Sequence, residues 1–366
     1  MTSFRTKTEK RKPKMKTAPF KTIKASMVAC SIAMALLTAP VGAQDKSPFP
    51  ITKEYYDANL NSPDSTWPKD PAVPDLPPLP DTDDPPPPLD NFLRAHYYDG
   101  LHPPTKGPVP RLTAQVTEEK PLKADVIWSM RSPYSYITLQ RLVWLQSNYN
   151  VELTIRPVMP IAVRSTKGGS GKGGGAFGVW YKLQDAMWDT TRMAQFNGVP
   201  FKWPTPDPIW QNIYPQGGEH FEYVHPPEKQ PYIGWVVRLG CYAQLKGKSL
   251  DYVNQVSSLI FGDHEEHWPA HVKERFNRIE RLDYDEAIEY IQKNIEEIDA
   301  IWLNNSKVQT QAGHGGVPLM IFQGEPFFGG DRFDPFVYRL WQSGLTKRSK
   351  PRAPFTTKPL RWPAGM

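Results

Sequence analysis

The chain has 366 residues, of which 40 are proline, and a formal net charge of +6. This length holds one large domain or two small ones, and the proline content predicts a long segment outside the core. Residues 1–43 contain nine lysines or arginines and one glutamate, so they carry +8 and the remainder −2. The excess of basic charge therefore lies in one N-terminal segment, which argues against a nucleic-acid-binding surface on the folded part.

The first predicted element is a signal peptide at residues 1–43. Its basic stretch ends at Lys24, an uncharged run follows from Ala25 to Ala39, and Val41-Gly42-Ala43 supplies small residues before a cleavage site. We expect cleavage before Gln44 and export to the periplasm, so that the protein meets a membrane only through this segment. The alternative is an uncleaved N-terminal helix that acts as an anchor, because the uncharged stretch approaches the ~20 residues that span a bilayer.

Residues 44–120 are predicted to be a proline-rich linker, with runs such as PAVPDLPPLPDTDDPPPPL. Such runs favour extended polyproline geometry and bury little apolar surface, so we expect a disordered, semi-rigid spacer before the folded domain. A ligand for a proline-binding module is the alternative.

A strand–helix–strand unit is predicted for residues 121–165. ADVIWSM, residues 124–130, is an apolar run of strand length, and VELTIRPVM, residues 151–159, is a second one. Between them, Ser132 suits a helix N-cap and Pro133 the first helical position. We expect the two strands to be parallel and joined by a right-handed crossover.

Residues 311–345 are predicted to form a strand, a tight turn at QGE, a second strand and an amphipathic helix that is capped near Asp331 and closed by Gly344. Residues 166–310 between the halves are predicted to be a helical insertion, and residues 346–366 a tail. The expected helices of the insertion are 178–197, 232–246, 250–261, 269–281 and 284–304. Its single cysteine, Cys241, is expected to be buried in a helix and cannot form an intramolecular disulfide in the mature chain.

The predicted fold class is α/β, a thioredoxin-like fold (βαβ–ββα) with an inserted helical domain. Four stretches carry a resemblance to known proteins: SPYSY at 132–136, YKLQDAMWDTTRMAQFNGVPFKWP at 181–204, GGVP at 315–318 and FFGGDRFD at 327–334. In their order and spacing they resemble the DsbA-like thioredoxin superfamily, and within it the branch of 2-hydroxychromene-2-carboxylate isomerases and kappa-class glutathione transferases. The family's glutathione-holding asparagine has no counterpart in the loop RSTKGGSGKGGGAFG.

The turn Ser132-Pro133-Tyr134-Ser135 has serines where a redox motif has cysteines, which excludes disulfide oxidoreductase chemistry. A helix start favours an anion, and a serine hydroxyl can donate to the thiolate of a ligand. The resemblance implies that this ligand is glutathione, a co-substrate in isomerisation or transfer on a small electrophilic molecule. It implies a catalytic role for Ser132 and contacts of glutathione with Val317, cis-Pro318, Asp331 and Arg332. The alternatives are simple helix caps at Ser132 and Asp331, and a non-catalytic, cysteine-less protein that binds peptides or client proteins.

Three further patterns occur in the sequence. His264, His267 and His271 are spaced three and four residues apart around Pro269. This spacing does not match the helix of a zinc protease, so no metal site is predicted. KGGSGKGGG does not match a phosphate-binding loop and is expected to be a mobile loop near the site. The aromatic stretch from residue 201 to 227 is either a lid over an apolar substrate pocket or a surface loop. A homodimer is an alternative to a monomer that the sequence does not decide.

Overall fold

The computed structural model of the protein describes residues 70–80, 115–164, 183–216, 219–225, 227–262, 265–352 and 359–363. No helix within these ranges is long and apolar enough to cross a membrane. The signal peptide, the loop after residue 164 and His264 lie outside the described residues, so the predictions for them remain predictions.

The first half of the fold is the predicted βαβ unit. Strand β1 (Leu122–Trp128) is followed by helix α1 (Pro133–Asn148) and strand β2 (Val151–Pro157). The two strands are parallel, with Leu122 opposite Val151 and Trp128 opposite Pro157. Proline at the first position and a serine N-cap start α1, as the sequence predicts.

The insertion is helical with one β-hairpin. Its elements are α2 (Ile161–Arg164), α3 (Leu183–Asn197), β3 (Gln211–Gln216), β4 (Glu219–Val224), α4 (Pro231–Leu245), α5 (Ser249–Phe261), α6 (Val272–Phe276), α7 (Tyr284–Lys293) and α8 (Ile295–Gln311). Helices α4 and α5 pack against β2, and α5 also contacts α1.

Four features of the insertion differ from the sequence prediction. The helix expected at 269–281 is confined to α6, because Asn277 closes it and Arg281 has a left-handed φ of 65°. The helix expected at 284–304 is two helices, because Asn294, with φ −126°, ends α7 and precedes α8. The short helix α2 and the antiparallel hairpin β3–β4 were not predicted.

The second half completes a four-stranded sheet in the order β2-β1-β5-β6. Strands β5 (Leu319–Phe322) and β6 (Glu325–Phe328) are antiparallel, and β5 is antiparallel to β1. Gln323 and Gly324 both have positive φ, 52° and 82°, as a tight two-residue hairpin turn requires. The strand order and the parallel first pair are those of the predicted thioredoxin-like βαβ–ββα fold.

Helix α9 (Phe333–Gln342) closes the fold, and Gly344 with φ 91° follows it, as expected. The predicted cap at Asp331 is wrong. Asp331 lies in a short 3₁₀ turn, Gly330–Arg332, and Arg332 occupies the N-cap position of α9 without a side-chain hydrogen bond.

Parts of the predicted linker and tail pack on the domain. Within residues 70–80, Leu79 is buried in the core, and Val116 is buried as well. In the tail, the Trp362 ring stacks on Tyr149 at a centroid distance of 5.9 Å. Residues 70–80 therefore differ from the predicted free spacer, whereas most of residues 44–114 lies outside the described part.

Candidate functional site

The start of helix α1 has the geometry expected of a serine cap. Ser132 is in an extended conformation (φ −88°, ψ 113°), and its Oγ accepts a hydrogen bond from the backbone N–H of Ser135 at 3.2 Å. Its own N–H donates to the carbonyl of Ser129 at 3.0 Å. The Ser132 side chain is half-buried, so it is fixed by the turn and still reaches the surface.

The two serines of the turn differ in exposure. Ser135 is fully buried, and its Oγ has no hydrogen-bond partner among the described residues. Of the two positions that hold cysteines in a redox motif, only the one at Ser132 is therefore open to a ligand.

The Val317–Pro318 peptide bond is cis, as predicted. The strand register places this peptide bond at the same end of the strands as the start of α1. Ile127 pairs with Leu319, so continuing the antiparallel register brings Pro318 level with Trp128, just before the turn to Ser132. The loop is held by two hydrogen bonds, from Gly329 N–H to the Pro318 carbonyl (2.9 Å) and from Gln309 to the Gly316 carbonyl (3.0 Å).

Asp331 and Arg332 lie in a turn that packs on the side of α1. The Arg141 Nη1 donates to the Gly330 carbonyl at 3.2 Å, and a Cβ added to Gly330 would be 2.4 Å from Thr138 Oγ1. Thr138 is six residues, about 9 Å along the helix axis, from Ser132. Asp331 and Arg332 pair with each other at 2.8 Å.

Both members of this pair are well exposed, with 63% and 59% of their side-chain surfaces accessible. A surface pair of this kind is weak, about 0–1 kcal/mol, so a ligand ammonium can compete for the Asp331 carboxylate.

An ion pair that the sequence did not reveal flanks Ser132. Arg131 donates to the Asp207 carboxylate through Nε at 3.3 Å and Nη2 at 3.1 Å. The side chain of Asp207 is 2% exposed and that of Arg131 16%. Asp207 also accepts from the N–H of Ile209 at 3.0 Å, so the pair fastens the segment before the β3–β4 hairpin to the turn at the site.

Two tyrosines connect the first turn of α1 to the insertion. The Tyr134 hydroxyl donates to Asp189 of α3 at 2.7 Å, and the Tyr136 hydroxyl donates to the Pro200 carbonyl at 2.7 Å. The Tyr136 ring stacks on Phe261 with centroids 5.7 Å apart, and burial raises the pKa of its phenol. The motif around Asp189, which contributed to the resemblance, is thus in contact with the predicted site.

His314 and Phe328 lie beside the cis-proline loop. The sequence analysis did not predict them as site residues. The Gly316 N–H donates to His314 Nδ1 at 2.9 Å, and the imidazole stacks on Phe328 with centroids 3.8 Å apart. In the neutral ring the proton is therefore on Nε2. A Cβ on Gly316 would be 2.3 Å from the Phe328 ring, so a larger residue there would require that ring to move. A histidine three residues before Val-Pro was the signal available in the sequence.

The remaining candidates lie elsewhere. No group of three metal-ligating side chains occurs within the described ranges. The backbone N–H of His267 donates to His271 Nδ1 at 3.0 Å in an exposed turn.

Cys241 is buried in α4, as predicted, and burial raises the pKa of its thiol. The aromatic stretch after residue 201 is in part the β3–β4 hairpin, and Phe201 stacks on Phe261 (6.1 Å) rather than standing free.

No family model and no curated protein matches the chain. The chain is similar to solved structures, two of which follow. The structure of a selenomethionine 2-hydroxychromene-2-carboxylate isomerase is 19% identical over 60% of this chain and 95% of that chain, with a TM-score of 0.42. A probable DsbA oxidoreductase from Streptomyces coelicolor is 13% identical over 61% of this chain and 89% of that chain, with a TM-score of 0.39.

The strand order β2-β1-β5-β6, the parallel first pair and the cis peptide bond before Pro318 carry the assignment of the fold. The chain therefore has a thioredoxin-like fold, with a helical insertion between the two halves of its sheet.

Proposed function

We propose that the start of α1 and the cis-proline loop bind a small thiol, glutathione by the resemblance, and use it to isomerise or conjugate a small electrophilic substrate. One observation carries the proposal: the half-buried Ser132 hydroxyl caps α1 in a turn without cysteine, at the end of the sheet strands where cis-Pro318 also lies.

The Ser132 hydroxyl can serve two partners at once. It accepts from the Ser135 N–H and keeps its own proton to donate to a ligand thiolate. A hydrogen bond to a charged group contributes about 1.5–3 kcal/mol, and a helix start adds roughly 0.3–1 kcal/mol for an exposed anion. At 1.36 kcal/mol per unit, the hydrogen bond alone lowers the pKa of the bound thiol by about one to two units.

The thiolate so formed would add to the electron-poor carbon of an alkene conjugated to a carbonyl. The new C–S bond converts the double bond into a single bond, and the π electrons move to the carbonyl oxygen. Rotation and return of these electrons expel the thiolate and give the isomer. Protonation of the enolate before expulsion gives the released conjugate instead.

In the same scheme, the Val317 backbone pairs with the cysteinyl part of glutathione. The Asp331 carboxylate receives the γ-glutamyl ammonium, with Arg332 beside it. Burial prevents the Cys241 thiol from competing with the ligand thiol for the substrate. Cys241 is the single cysteine of the predicted mature chain.

A second candidate is a non-catalytic protein that binds extended peptides. Strand β6 is at the edge of the sheet, and Phe328 at its end is 43% exposed beside the cis-proline loop. An open edge with an aromatic side chain suits an added peptide strand. Export to the periplasm, where the supply of glutathione differs from that of the cytosol, would favour this candidate.

Calorimetric titration separates the two. We expect S-hexylglutathione to bind the mature chain in the micromolar range, and an extended apolar peptide to bind more weakly. Binding of S-hexylglutathione that is millimolar or absent, together with micromolar peptide binding, would establish the second candidate instead. Ser132→Asp, titrated with glutathione itself, is the matched control, because it keeps the cap and places a negative charge where the thiolate would lie.

A further inference from the structure

We infer that the helical insertion contains a binding site for an extended proline-rich segment, and that residues 70–80 of the chain, the proline strap, occupy it. The central residue is Arg238 of α4, which is 1% exposed. Its Nε and Nη2 donate to the Asp299 carboxylate of α8 at 2.8 and 2.7 Å. Its guanidinium also donates to two consecutive backbone carbonyls of the strap, Pro77 and Pro78, the latter at 3.1 Å.

This arrangement recognises a chemical class of ligand. Consecutive prolines have no N–H to donate, and their carbonyls are left unpaired in an extended chain. A guanidinium has five N–H donors in a fixed plane, so one side chain can bind a carboxylate and two carbonyls together. Asp299 neutralises the buried charge of Arg238 and also accepts from the Trp302 indole at 2.9 Å.

An apolar contact defines the residue after the two prolines. Leu79 is 5% exposed, and a Cβ added to Gly234 of α4 would be 3.2 Å from its Cγ. The small residue at Gly234 therefore makes room for the leucine. The motif that the site takes is therefore Pro-Pro-Leu.

Two outer hydrogen bonds fix the direction of the strap. The Tyr232 hydroxyl donates to the Asp70 carboxylate at 3.2 Å, near one end. The Gln292 side chain of α7 donates to the Asp75 carbonyl at 3.1 Å. The contacts thus come from α4, α7 and α8, which are all helices of the insertion.

The inference is independent of the proposed function, since none of these residues belongs to the thiol site. The proline-rich segment is, at residues 70–80, a ligand of its own domain. Residues 81–121 connect it to β1, so a single cleavage between residues 81 and 114 can separate the strap from the domain.

The experiment uses the full mature chain with a protease site introduced between residues 95 and 101. After cleavage, we expect the N-terminal fragment to co-elute with the domain in size-exclusion chromatography. A synthetic peptide of residues 70–80 should displace it, and the same peptide with Leu79→Asp should be at least about tenfold weaker, as loss of a buried leucine implies. The substitution is made in the peptide, so a failure of the protein to fold cannot produce the result.

The chain contains a built-in control for register, because Pro87-Pro88-Leu89 repeats the motif. In the cleaved protein, Leu79→Asp should release the fragment and Leu89→Asp should not. A fragment that separates from the unmodified domain, equal potency of the two peptides, or release by Leu89→Asp alone would each overturn the inference.

Discussion

Substitution of Ser132 separates its two roles, because the residue both caps α1 and is proposed to donate to the ligand thiolate. Ser132→Ala removes both functions. Ser132→Asp keeps an acceptor for the Ser135 N–H, which lies 3.2 Å from the serine oxygen, but cannot donate at neutral pH and repels a thiolate. The pair of variants therefore distinguishes a structural cap from a catalytic group.

The expected magnitudes follow from this geometry. Loss of the cap in Ser132→Ala should lower the free energy of unfolding by about 1 kcal/mol, whereas Ser132→Asp should leave it nearly unchanged. Both variants lose a charge-assisted hydrogen bond of about 1.5–3 kcal/mol to the thiolate. The pKa of bound glutathione should then rise by about one to two units in the alanine variant, and by more in the aspartate variant, where the added charge also repels the thiolate.

Two measurements on each variant test this expectation. Urea denaturation gives the free energy of unfolding, and the ultraviolet absorbance of the thiolate, followed against pH with glutathione saturating, gives the pKa of the bound thiol. If the alanine variant loses stability while the thiol pKa stays at its wild-type value in both variants, Ser132 is only a cap and the proposed mechanism fails.

Three other predictions concern groups around the site and in the insertion. Asp207→Ala should lower the free energy of unfolding by about 1–3 kcal/mol and weaken S-hexylglutathione binding, because it leaves the Arg131 charge without its carboxylate; an unchanged affinity would disconnect this pair from the site. Gly316→Ala should displace the Phe328 and His314 rings and alter the imidazole NMR signals of His314, since its Cβ would be 2.3 and 2.9 Å from those rings; unaltered signals would contradict the stacking. Burial, with the Lys229 charge, lowers the pKa of His225 to about 4, so the unfolded chain takes up a proton first as pH falls. Stability should therefore fall by up to about 3 kcal/mol between pH 6.5 and 4, and His225→Phe should remove that part of the decline in pH-dependent denaturation.

The features predicted correctly from the sequence are those with a local cause. Serine followed by proline specifies a helix start through the hydrogen-bonding and backbone limits of those two residues alone. Gly324 favours a tight turn because glycine adopts positive φ without strain, as it does here at 82°. The cis bond before Pro318 followed from the resemblance, which fixed the place of the loop in the fold.

The features that were missed depend on partners far apart in the chain. Arg131 and Asp207 are separated by 76 positions, and Arg238 lies 161 positions from Pro77. Neither pair leaves a periodic pattern, and a proline-rich run looks the same whether it is solvated or bound in a groove. The β3–β4 hairpin is a different case: Gly217-Gly218 between two polar-aromatic runs is a recognised turn signal, whereas a proline such as Pro215 within a run is typical of edge strands and loops.

The unequal exposure of the two serines bears on which reactions the site can support. A disulfide exchanger needs two sulfurs that can meet, one to form the mixed disulfide and one to resolve it. Here the second position, Ser135, is fully buried, so even a ligand sulfur held by Ser132 would find no second group of the turn to resolve an adduct. In the proposed scheme an adduct can end only by expulsion of the same thiolate or by release of the conjugate. Isomerisation and transfer are those two outcomes, and the choice between them depends on how fast the bound enolate is protonated.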